Sequence, residues 1–308
     1  MTLKGRDFLS VDDLSPEEVR FVLDTAVDLK RRSKAGDRPP LLAGRVLAMI
    51  FEKPSLRTRV TFETGMWELG GHAIYLAPQD IQLGARESVP DVARNLERWV
   101  QGIMARTFAH RTVEVLAEYA RVPVINGLSD VEHPCQTLGD LLTIRERFGH
   151  LDGLRVAWVG DGNNVCHSLL LGAAKVGMHM AVATPPRYAP EPAIVARARE
   201  IASTAGSQIE VGTDARAAAR GADVIYTDVW VSMGQEAERD AKIKAFSDFQ
   251  VNAALLSQAA PRAVVLHCLP AHRGEEITDE VLDGPQSLVL DQAENRLHAQ
   301  KALLSLIL

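Results

Sequence analysis

The sequence predicts an α/β protein of two doubly wound parallel-sheet domains joined by interdomain helices. Three observations predict it. Short apolar runs alternate with helix-patterned segments in two separate series along the chain. A long helical stretch and a glycine break at 149–153 stand between the two series. The 308 residues exceed one comfortable core and suit two of ordinary size. The expected division is a first domain at 1–135, a linking helix at 136–149 and a second domain at 150–290, with 291–308 completing the first.

The elements follow in order. Ser15-Pro16-Glu17-Glu18 reads as a capped helix start, with Ser15 as N-cap and Pro16 at the first helical position. That helix runs to about residue 32, and 36–40 is a loop. Strands are expected at 46–51, 73–76, 102–105 and 122–126, with helices at 57–69, 89–99 and 112–119 between them. His133-Pro134-Cys135-Gln136 opens a helical segment reaching Phe148. After the break, strands are expected at 155–159, 180–183, 208–211, 224–227 and 263–267, with helices such as 165–176 and 192–204. The segment 294–308 reads as a closing helix. In such sheets ligands sit beyond the carboxyl ends of the strands, so the chemistry should lie just after each apolar run.

Composition narrows the function. Lys+Arg is 34 and Asp+Glu is 40, a formal charge of −6, which disfavours non-specific nucleic-acid binding while leaving room for a local basic pocket. No apolar run reaches transmembrane length, and the segment 1–10 has no apolar core of a secretory signal. Cys135, Cys166 and Cys268 are isolated and fit neither a disulfide framework nor a zinc site. A reducing cytoplasm is the simplest compartment.

The first strand leads into Glu52-Lys53-Pro54-Ser55-Leu56-Arg57-Thr58-Arg59, which opens a helix. A helix N-terminus offers unpaired N–H groups and partial positive charge. Ser55 and Thr58 add hydroxyls, and Arg57 adds a fork that matches phosphate oxygens. An ordinary N-cap with solvated arginines explains the segment equally well. It is not a Walker loop, whose glycine spacing and Lys-Ser/Thr are absent.

Phe51 to Arg59, followed by Glu63-Thr64-Gly65 and Leu69-Gly70-Gly71-His72, resembles the carbamoyl phosphate motif of the aspartate/ornithine carbamoyltransferase family. That family's pattern is Ser-Thr-Arg-Thr-Arg. Leu56 takes the second place here, losing one hydroxyl but keeping the backbone N–H. The resemblance implies carbamoyl phosphate binding by Ser55, Leu56, Arg57 and Thr58. The family also carries an Arg and a His-Pro-x-Gln in this order, which correspond to Arg106, His133 and Gln136. Amine attack on a carbamoyl carbon builds an oxyanion, and losing one donor to such a centre costs about 3–4 kcal/mol. Arg106 and His133 suit that task, and Gln136 can accept from the carbamoyl NH2. A helix-cap histidine is the plainer reading of His133 taken alone. Residues 80–84 read as a surface loop; the resemblance implies that Gln82 reaches a neighbouring subunit's site, in a homotrimer or a multiple of trimers.

The second domain should choose the amine. Val159-Gly160-Asp161-Gly162-Asn163-Asn164 is half of a dinucleotide fingerprint, with Val165 at the third glycine and no acid about 20 residues on. NAD binding is therefore disfavoured. Asp228, at a strand end, can bind a cationic amino group, although a satisfied loop carboxylate is the plain alternative. By resemblance, Asp228-x-Trp230-x-Ser232-Met233-Gly234 and His267-Cys268-Leu269-Pro270 are ornithine-type signatures. They imply ornithine contacts at Asn164, Asp228, Ser232 and Met233. They also imply Cys268 and Leu269 beside carbamoyl phosphate, with Arg296 reaching back to the same anion. Arg106, His133, Cys268 and Asp228 form the expected catalytic set. The charged loop 232–246 is expected to close over the amino acid, and Leu269-Pro270 is a candidate cis peptide. The implied reaction transfers the carbamoyl group of carbamoyl phosphate to the side-chain amine of L-ornithine, giving L-citrulline and phosphate without metal or redox cofactor. No nucleic-acid or membrane partner is expected.

Overall fold

A computed structural model describes residues 2–308. The chain divides into two compact units: a first unit ending at Leu142 and completed by Glu294–Leu308, and a second spanning Thr143–Ala293. Each holds one parallel sheet, so the expected α/β class with two doubly wound sheets is the observed one.

In the first unit, β1 (Val46–Phe51), β2 (His72–Leu76), β3 (Gly102–Arg106) and β4 (Val124–Leu128) lie in the order β2-β1-β3-β4. β1 is a continuous apolar run, buried at Leu47–Phe51, as a central parallel strand covered on both faces must be. β2 is an edge strand, and none of its residues is fully buried. The strand order reverses between β1 and β3. Phe51 therefore pairs with Arg106, and the main chain of Glu52 donates to Arg106 O at 2.9 Å. This switch point places the turn after β1 beside the end of β3.

The helix Pro16–Lys34 starts as expected, with Ser15 and Glu18 forming a reciprocal capping box. β4 lies two residues beyond the expected 122–126, starting at Val124 and running through Gly127 to Leu128. Its outer edge is paired by the N-terminal segment, where Phe8 N donates to Val124 O and Asn126 N to Phe8 O, both at 2.8 Å. The closing helix begins at Val289, five residues before 294, because no breaker interrupts 289–294.

In the second unit, β5 (Arg155–Val159), β6 (His179–Ala183), β7 (Ile209–Gly212), β8 (Val224–Thr227) and β9 (Val264–His267) lie in the order β7-β6-β5-β8-β9. The reversal falls between β5 and β8, so the turn 160–163 stands beside Asp228. The stretch 232–246 is not an open loop. It contains a 3-10 turn at Glu236–Glu238 and a helix at Arg239–Ala245, pinned inward by buried Lys242 and Phe246 one turn apart.

Candidate active site

The first unit builds an anion cradle at its switch point. Ser55 caps the helix Leu56–Glu68, its Oγ accepting from Thr58 N at 3.3 Å. Thr58 is 1% exposed, and its Oγ1 accepts from Arg296 Nη2 at 3.4 Å. Arg296 Nη1 donates to Gln136 Oε1 at 2.5 Å, and Gln136 Nε2 donates to Asp140 at 2.8 Å. The closing helix thus delivers a guanidinium to the residues that open the helix after β1. Buried Gly139 makes room for it, since a side chain there would press on Arg296.

Arg106 and His133 are buried in the same cradle. Burial, reinforced by the positive fields of Arg296, Arg106 and Arg57, holds the His133 pKa well below the usual histidine value. The imidazole is therefore neutral near pH 7, where it can donate one N–H without carrying charge. Three guanidiniums around one neutral ring make a site short of negative charge, as a phosphorylated anion requires.

The Leu56 side chain is 75% exposed in the single chain, which leaves its backbone N–H as the group it can offer the cradle. Gln82 is exposed, at φ +44° after the short helix Pro78–Ile81. Lys53 had no role in the sequence reading. It is half-buried, its ammonium lies 4.5 Å from the Phe108 ring centroid, and burial together with the Arg106 field lowers its pKa. Its place between Glu52 and Pro54 at the strand end was the available signal.

The second unit builds a carboxylate-centred site. Asp228 is buried, and its two oxygens accept from Cys268 Sγ at 3.0 Å, Val229 N at 2.8 Å and Asn163 Nδ2 at 2.8 Å. Asn163, which the sequence reading did not single out, caps the next helix through Oδ1 while holding Asp228 through Nδ2, and Asn164, the expected ornithine contact, opens that helix. The two glycines of this turn have packing reasons. A Cβ on Gly160 would meet Thr227 Oγ1 at 3.3 Å, and one on Gly162 would lie 2.3 Å from Pro190 N.

Cys268 follows β9, and the Leu269-Pro270 peptide is cis, as expected. Leu269 sits at φ +58°, and its N–H donates to His267 Nδ1 at 2.9 Å. The ring proton therefore lies on Nε2, facing Glu276 Oε1 at 3.1 Å. Asp228, His267 and Cys268 offer metal-type ligand atoms within 4.8 Å of one another, but both His267 nitrogens are already engaged. Ser232 is half-buried, and Met233 is 48% exposed on the segment that follows β8. Cys135 and Cys166 are buried. Burial pushes the Cys135 thiol up to about 12 and the Cys166 thiol well above its ordinary value, so neither is a nucleophile near neutrality.

These two halves agree with what the chain is similar to. Residues 6–146 match the family profile described as aspartate/ornithine carbamoyltransferase, carbamoyl-P binding domain, and residues 152–307 match its Asp/Orn binding domain. An ornithine carbamoyltransferase of Symbiobacterium thermophilum is 57% identical over 307 residues, covering 100% of this chain and 99% of that protein. The solved ornithine carbamoyltransferase of Pyrococcus furiosus superposes with a TM-score of 0.98 at 53% identity, covering 100% of this chain and 98% of that one. That of Thermus thermophilus superposes at 0.88 with 50% identity, covering 97% of each chain.

Proposed function

The chain belongs to the aspartate/ornithine carbamoyltransferase family, and from that premise we infer that it carbamoylates the side-chain amine of L-ornithine, releasing L-citrulline and phosphate. The observation that carries the reading is the cradle of Ser55, Thr58, Arg296 and neutral His133, built where a small phosphorylated anion is best held.

In this reading the helix N-terminus at 55–58, with Arg57 and Arg106, holds the phosphate. Arg106 and His133 donate to the carbamoyl oxygen as it gains charge. Gln136 Oε1 already accepts from Arg296 and has a second lone pair for the carbamoyl NH2. Leu56 and Leu269 contribute main-chain groups. Asn164, Asp228, Ser232 and Met233 hold the amino acid, and Cys268, bonded to Asp228, lies at the attacking amine. The free side-chain amine has a pKa of about 10.4, and desolvation favours its neutral, nucleophilic form. The amine nitrogen bonds to the carbamoyl carbon, the C–O bond to phosphate breaks, and the departing phosphate takes the proton. Such a reaction serves arginine metabolism.

A homotrimer, or a multiple of trimers, fits the surface of the first unit. Leu56, Val60 and Trp67 line one exposed face of the helix Leu56–Glu68, at 75%, 48% and 70% exposure. A second copy of the chain would cover this face, with Gln82 entering the neighbour's site. Mixing Gln82→Ala with Arg106→Ala subunits should regenerate activity if sites are shared, and should not if each chain is self-sufficient. Free cysteines suit a cytoplasmic setting, and no helix among the described residues is long and apolar enough to cross a membrane.

The test is ureido-product formation with ornithine, acetylornithine, putrescine and aspartate side by side. Ornithine should be preferred, and a preference for any of the others would overturn the substrate assignment.

A further inference from the structure

We propose that Lys242 is a positioning residue for the amino-acid substrate, acting through Gln235 and Asp161 to hold the Ser232–Met233 segment in register with the turn after β5. The inference rests on the ornithine reading above and adds a residue outside the substrate-contacting set.

Lys242 lies in the helix Arg239–Ala245 and is 2% exposed, an unusual place for an ammonium. Its Nζ donates to Asp161 Oδ2 at 2.6 Å and to Gln235 Oε1 at 2.7 Å, and lies 5.3 Å from the Tyr188 ring centroid. Gln235 Oε1 also accepts the main-chain N–H of Ser232 at 3.4 Å, and Gln235 N donates to Ser232 O at 3.0 Å. A continuous chain of bonds therefore runs from Asp161 through Lys242 and Gln235 to the backbone of Ser232.

The other end of that chain is equally placed. Asp161 stands two residues before Asn163, which holds Asp228, and Asp161 O accepts from Trp158 Nε1 at 2.9 Å. Lys242 thus joins the two segments that flank Asp228. The tip between them has little packing of its own, since Met233 and Gly234 are exposed. Downstream, Phe246 anchors the helix by stacking on Trp230 at 5.7 Å and packing at a tilt against Tyr188 at 5.0 Å. With the far end fixed by aromatic packing, the register of the near end falls to Lys242.

Energetics favour positioning over simple stabilisation. A buried ion pair replaced by apolar groups of similar volume is often neutral for stability, and fixing register is the best-attested reason to retain one. Lys242→Met keeps the stem and removes the ammonium. It should raise the KM for ornithine about tenfold or more, as misplacement of a contact segment does, while the KM for carbamoyl phosphate stays within about twofold. Lys242→Arg, which keeps a donor to both acceptors, should recover most of that loss. Asp161→Asn should raise ornithine KM by a smaller factor, and the double variant Lys242→Met/Asp161→Asn should fall short of the product of the single effects.

Steady-state kinetics with both substrates, together with thermal melts, decide the matter. An ornithine KM unchanged within twofold in Lys242→Met overturns the proposal, as does a parallel rise in both KM values. If Lys242→Met fails to fold, Lys242→Arg and Asp161→Asn carry the same test, and unchanged ornithine KM in Asp161→Asn overturns it. Wild-type protein inactive with ornithine would instead sink the underlying reading.

Discussion

Replacing Gly139 by alanine tests whether the closing helix completes the anion site. Gly139 lies on the helix Pro134–Phe148, and a Cβ there would meet Arg296 Cδ at 3.1 Å and the Arg296 main-chain N and Cα at 3.4 and 3.5 Å. The first distance is too short, so the arginine stem must move by a few tenths of an ångström. Arg296 is 2% exposed and has no outward route. Its Nη2–Thr58 contact is already 3.4 Å and is lost first, with the 2.5 Å bond to Gln136 strained next. One charge-assisted hydrogen bond contributes about 1.5–3 kcal/mol. At about 1.4 kcal/mol per decade, the KM for carbamoyl phosphate should rise about 10- to 100-fold. Stability should change less, because the helix propensity gain of about 1 kcal/mol offsets part of an overpacking cost of about 1–3 kcal/mol. The assay is ureido formation at saturating ornithine with carbamoyl phosphate varied, alongside a melting curve. An unchanged KM, or an equal rise in the ornithine KM, would refute the link between Gly139, Arg296 and the anion.

Further outcomes follow from the same geometry. His133 has a folded pKa below its unfolded value, so below about pH 6.5 the unfolded chain takes up a proton that the folded chain refuses, and stability is lost as pH falls. His133→Gln should therefore lose less melting temperature than wild type between pH 7 and pH 5, and an equal loss in both proteins would count against a neutral His133. Leu56→Thr should leave the KM for carbamoyl phosphate within about threefold, because the side chain is 75% exposed; a tenfold gain would mean that the hydroxyl reaches the ligand. Cys268→Ser keeps a donor to Asp228 and should retain measurable turnover, whereas complete loss with intact substrate binding would give the thiol a chemical role beyond orientation.

Much of this was legible in the sequence because parallel sheets place function at strand ends. β1, β3, β5, β8 and β9 are apolar runs, and Arg57, Arg106, Asp228 and Cys268 each follow or end one of them. What escaped detection had weak local signals. Pro78–Ile81, Ala253–Leu256 and Asp279–Leu282 are single helical turns, too short for a periodicity to register. Asn163 and Asn164 are adjacent asparagines, and only the fold shows that the first is turned toward Asp228. The Lys242–Asp161 pair is separated by 81 residues, and a charged helix face is ordinarily solvated, so nothing in the local sequence marks Lys242 as buried. The assignment of Arg296 came from family likeness. Its bonds to Thr58 and Gln136 span 238 and 160 residues, and composition carries no trace of them.

The first unit is discontinuous, ending with Glu294–Leu308, while the second is one unbroken stretch. On a ribosome, where domains tend to fold as they emerge, this inverts the usual sequence of events. The middle of the polypeptide can reach its finished form while the earlier-made portion still waits for the tail. Arg296 lies in that returning segment, so nascent chains that stop short of it would have a complete Asp228 environment while lacking the guanidinium that bonds Thr58 and Gln136. Cleavage before Glu294 would likewise remove Arg296 from the first unit.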